Sequence, residues 1–81
     1  MNIELIDGTF SREDAGEVIG EMILTKIKFH EKKISLSDEI EDIQFRECKI
    51  KKLSETLKNF REEIQKNEQV NIYSKLSIEQ F

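Results

Sequence analysis

Proline is absent from this 81-residue chain, so nothing in its second half interrupts the long helix that the apolar spacing there predicts. Cysteine occurs once, as Cys48, which excludes an intramolecular disulfide and makes a reducing cytoplasm the expected setting. Histidine also occurs once, as His30, and leaves no second imidazole for a His/Cys metal cluster. No stretch approaches the roughly eighteen apolar residues of a membrane span, so no membrane partner is expected. Met1 to Phe10 carries Glu4 and Asp7 without a basic region or a long apolar core, so neither a signal peptide nor an anchor is expected. An excess of positive charge is missing too: charged residues make up 37% of the chain, both signs are interspersed, and the balance is −4. Phosphate recognition rests on clustered Lys and Arg and the counterions they release, so no nucleic-acid partner is expected either.

What is present is a heptad seam. Ile43, Ile50, Leu57 and Ile64 recur every seventh residue, and Leu53 and Phe60 lie three beyond Ile50 and Leu57. A helix patterned this way buries its stripe against another helix. The first half supplies a partner: Ala15, Val18, Ile19, Met22, Ile23 and Ile27 recur at threes and fours on one side of a helix predicted over 12–33. Ser11, with Glu13 and Asp14 after it, marks that helix's start, and Lys32 and Lys33 suit its end. The second helix is predicted over 37–68, capped by Ser35 or Ser37, with Asn67 as its terminator.

The chain ends read as strands. Asn2 to Ile6 alternates polar and apolar before the turn pair Asp7-Gly8, and Val70, Ile72, Leu76 and Ile78 share one face of a strand over 70–79. The expected fold is therefore α+β, mainly α. A long antiparallel helical hairpin carries short N- and C-terminal strands, all in one domain over residues 1–81. The predicted helices differ in length, about 33 Å against about 46 Å, so the second should overhang the first by more than two turns. Leu57, Phe60 and Ile64 on that overhang are expected to need the strands or a second subunit to cover them.

Several residues are candidates for function. Gly16 and Gly20, four apart inside the first helix and flanking Ile23 and Ile27, either admit a close backbone approach or mark a local kink. Phe45 and Cys48 point away from the seam, as Leu24 does on the first helix; they are either scattered surface groups or a second contact surface. His30 lacks a Ser, Cys, Asp or second His at a spacing that would build a triad or metal site. The many carboxylates alternate with lysines in helix-supporting pairs such as Glu47 with Lys51 and Glu62 with Lys66. No phosphate loop, nucleophile elbow or zinc spacing occurs, so no catalytic residue, cofactor, metal or small-molecule substrate is expected.

Strand, helix, helix is also the element order of ribbon-helix-helix repressors. Here, however, the strand presents Asn2 and Glu4, and a carboxylate facing phosphate is repulsive. The run Ile6-Asp7-Gly8-Thr9-Phe10-Ser11, with Glu13, Ala15 and Lys26-Ile27-Lys28-Phe29-His30, is similar to small uncharacterised bacterial proteins with a helical-hairpin pattern. That resemblance covers about the first 30 residues and implies a bacterial cytoplasmic origin, but no catalytic or binding residue. The expected function is non-catalytic: an interaction or oligomerisation module whose partner is itself, as a homodimer or higher. The alternative is a small antitoxin-like or inhibitory regulator of a larger protein. Gly16, Gly20, Ile23, Ile27, Phe45, Leu57, Phe60 and Ile64 are the expected interaction residues.

Overall fold

A computed structural model describes residues 1–80 as strand β1 (Asn2–Ser11), helix α1 (Arg12–Ser35), helix α2 (Ile40–Glu63), a 3₁₀ turn (Ile64–Lys66) and strand β2 (Gln69–Ser77). The architecture is α+β and mainly α, as expected: a helical hairpin whose two chain ends pair as a two-stranded antiparallel sheet. Ser11 starts α1 as its residue type predicts, with its Oγ accepting the Asp14 N–H at 3.1 Å. Glu13 and Asp14 occupy the positive end of the helix and Lys32 and Lys33 the negative end. The exposed Glu13 carboxyl lies below its ordinary range. A hydrogen bond from its own backbone N–H holds it there first, against some desolvation, and Arg12 adds to the effect. At the same corner the Arg12 N–H donates to the Glu68 carbonyl at 3.0 Å, tying the start of α1 to the segment leading into β2.

The connection between the helices differs from expectation. Ser35 ends α1, and its Oγ donates to the Lys32 carbonyl at 2.7 Å, so it caps nothing in α2. Ser37 does not cap α2 either; its Oγ accepts the Glu39 N–H at 3.2 Å and so builds the turn. Glu39 holds the N-cap position of α2 without a side-chain bond. At the other end α2 stops at Glu63, tightens into the 3₁₀ turn, and Asn67 passes at φ −138° and ψ 156° straight into extended chain. Both helices therefore have 24 residues, about 36 Å each. The expected overhang of α2 does not exist, because the turn takes residues 36–39 and the return to the sheet takes 64–68.

The sheet also runs longer than expected at its first strand. Asp7-Gly8 forms no turn: Asp7 pairs with Tyr73 and Gly8 with Ile72 in the middle of the ladder. A turn-prone pair stays extended when a partner strand meets the hydrogen bonds of its neighbourhood. A bulge falls at Leu5, between the pairs Glu4 with Lys75 and Ile6 with Ser74. Beyond it Ile6, Gly8 and Phe10 share a face with Val70 and Ile72, all buried or half-buried, while Thr9, Asn71, Asp7 and Tyr73 face solvent. On that outer face the Thr9 hydroxyl donates to Asn71 Oδ1 at 2.7 Å. β2 ends at Ser77, so Ile78 lies beyond the strand expected to contain it.

The inner face of the sheet rests mainly on α1, with Ala15 fully covered and Ile6 buried. Ile6, Ala15, Leu57 and Ile64 are the buried hydrophobic residues, and no large side chain is wholly enclosed. The molecule is a slab of 45 × 32 × 14 Å.

Gly20 is buried in α1, yet a Cβ built there meets nothing within 4 Å. Alanine in a helix interior is favoured over glycine by about 1 kcal/mol. Gly20→Ala should therefore raise the thermal midpoint by roughly 4–8 °C; an unchanged or lowered midpoint in a calorimetric scan would show that the space is not free.

Candidate interaction surface

The seam is built by both helices at heptad spacing. Gly16, Gly20, Ile23, Ile27, His30 and Ile34 alternate at four and three along α1, and all are buried or half-buried. Two contacts set their antiparallel register against α2. At one end a Cβ on Gly16 would lie 3.2 Å from Ile64 Cδ1; at the other, His30 meets Arg46. Between them Leu24 and Ile27 lie beside Ser54 and Leu57. The close approach expected of the glycines is thus realised at Gly16, where absence of a side chain admits Ile64. It is not realised at Gly20.

Leu57 and Ile64 are 7% and 6% exposed within the single chain, and Phe60 is half-buried. These residues were expected to need strands or a second subunit; instead α1, which matches α2 in length, meets Ile64 at Gly16 and lies beside Leu57 at Leu24 and Ile27. Leu24 is corrected as well: it is half-buried and lines a groove with Ile27, Ser54, Leu57 and Lys58, beside α2 rather than on the far side of α1.

Arg46 takes the seam position between Ile43 and Ile50. Its Nη1 donates to His30 Nδ1 at 3.1 Å, its Nε lies 3.3 Å from Asp42 Oδ1, and its guanidinium carbon is 5.9 Å from the Phe29 ring centre. The Phe29 and His30 rings meet edge to face at 5.6 Å. A guanidinium only donates, so His30 accepts through its Nδ1 lone pair. This half-buried layer was missed by sequence reading, although the signal was there: continuing the 43, 50 spacing by three from Ile43 lands on Arg46.

Outside the seam, apolar groups remain uncovered. Leu5, Met22 and Leu76 line an open groove between the bulged end of the sheet and α1, which Ile23 borders from the seam, with Glu21 and Lys26 at its margins. Met22 is 38% and Phe29 51% exposed, and Val18 is similar to Met22. The Leu5 and Leu76 contributions had no sequence signal, because the bulge that turns Leu5 towards α1 leaves no mark on local composition. On the back of α2, Phe45 is 59% exposed with the Lys49 ammonium 5.2 Å from its ring centre, and Cys48 is a free, exposed thiol.

Among the described residues, no three His, Cys, Asp or Glu side chains converge as metal ligands would, no buried side-chain polar atom lacks a partner, and no helix is long and apolar enough to cross a membrane. No protein-family model, curated protein or solved structure matches the chain.

Removing one partner of a half-buried polar cluster leaves the others with unmet hydrogen bonds and is destabilising. Arg46→Leu should lower the free energy of unfolding in urea by roughly 1–3 kcal/mol; an unchanged or raised value would mean that the bonds to His30 and Asp42 contribute nothing to the hairpin.

Proposed function

We propose that the chain is a small non-catalytic interaction module that works by associating with a second copy of itself. The observation that carries this reading is surface. A compact monomer of 9.6 kDa exposes about 5,100 Å², whereas this chain exposes 6663 Å². The excess is about 1,600 Å² by that comparison, roughly twice what one partner contributes to a standard interface.

Two further features support the reading. The molecule is only 14 Å deep along its shortest axis and encloses no large side chain, so a second layer would supply the burial that a chain of this size otherwise lacks. Its sheet has two strands, and a two-stranded sheet gains stability by packing on another surface or by adding strands.

Sedimentation equilibrium at micromolar concentration should return twice the chain mass of 9.6 kDa. A well-folded species at the single-chain mass throughout the accessible concentration range would overturn the proposal.

A further inference from the structure

The charges of α1 are segregated along its length. Glu13, Asp14, Glu17 and Glu21 fill the first half, and Lys26, Lys28, Lys32 and Lys33 the second, with Arg12 at the first position and Glu31 as the two exceptions. The helix dipole accounts only for the charges in the first and last turns; Glu17, Glu21, Lys26 and Lys28 lie beyond its reach. Within the helix the arrangement is locally unfavourable, since Glu17 with Glu21 and Lys28 with Lys32 are like charges four apart. None of these four side chains forms an ion pair with another described residue.

Position around the helix carries the argument further. At 100° per residue, Asp14, Glu17, Glu21, Lys28 and Lys32 fall within an arc of about 60°. Beside it, in a second arc of similar width, lie Val18, Met22, Thr25 and Phe29, which include the exposed apolar groups of α1. The face thus has an apolar stripe with a flank that is acidic at one end and basic at the other.

We infer that this face docks antiparallel on the same face of a second copy, about a two-fold axis close to Met22 and Ile23. The inference rests on the self-association proposed above and names the surface that performs it. An axis perpendicular to both helices reverses their direction and carries each flank onto itself. Asp14 then meets Lys32 of the second copy and Glu17 meets its Lys28, while Val18 meets Phe29 across the apolar stripe. A parallel pairing, whose two-fold axis runs along the helices, would carry the two flanks to opposite sides of the stripe and leave their charges without partners. A partner of unrelated sequence would need both the matching stripe and the reversed charge order; a second copy has both by symmetry.

The test is a charge exchange measured by sedimentation equilibrium. Glu17→Lys/Glu21→Lys makes the flank basic throughout except for Asp14, and Lys28→Glu/Lys32→Glu makes it acidic throughout. Each variant alone should dissociate, its Kd rising by roughly 100-fold at low salt. An equimolar mixture should form a heterodimer with wild-type affinity or better, and the chain with all four changes should dimerise again. The wild-type dimer should also weaken as salt rises, a reading that needs no variant to fold. A wild-type dimer indifferent to salt and to both reversals would overturn this face and leave self-association standing; a wild-type monomer would overturn both.

Discussion

The structure depends on how closely α1 and α2 approach at the end where Gly16 lies against Ile64. That contact brings Arg12 and Glu68 within hydrogen-bonding distance across the hairpin. Only then can β1 and β2, whose paired residues stand up to 75 positions apart at Asn2 and Ser77 (77 − 2), form a sheet. The strands share no local turn, so the hairpin provides their closure: the entropic cost of joining distant segments has largely been met once the helices are packed. A side chain larger than methyl at Gly16 would push Ile64 outward at the point from which the sheet hangs.

The same arrangement leaves the molecule thin. The hairpin buries one stripe of each helix and the sheet rests on a second stripe of α1, but the face of α1 that carries Val18, Met22 and Phe29 stays partly exposed. Charge segregation along that face opposes local helix preference at Glu17 with Glu21 and Lys28 with Lys32. A local arrangement that disfavours its own element has its compensation elsewhere, and the antiparallel copy we propose would supply it. The seam between α1 and α2 holds the chain together, and the outward face of α1 is the surface to which we assign the binding.

Much of the architecture was legible in the residues. Ser11 capped as a serine before acidic residues should, and the seam of Ile43, Ile50, Leu53, Leu57, Phe60 and Ile64 packed on a helix as its period required. The errors came where long-range partners override local signals. Asp7-Gly8 has the composition of a turn but the neighbours of a strand, and Ser37 has the composition of a cap but bonds within the connection. Helix lengths taken from such signals were wrong by a few residues at each end of α2. That placed Leu57, Phe60 and Ile64 on an overhang in need of the strands or a second subunit, whereas Leu57 and Ile64 are buried and Phe60 half-buried within the single chain. The bulge at Leu5 had no local signature at all.

The claim that two copies meet antiparallel along α1 is tested most directly by distances between spin labels, in a chain carrying Cys48→Ser so that each copy bears one label. With the axis near residue 23, labels at position 25 should lie within roughly 15 Å of each other, and labels at position 32 roughly 25–30 Å apart, given about 1.5 Å of rise per residue and an interaxial distance of 8–10 Å. Short distances at 25 that lengthen towards both ends of the helix are the predicted pattern. Equal distances at both positions would mean a parallel pairing, and no dipolar coupling at either would mean that the copies meet elsewhere or not at all; each result contradicts the account.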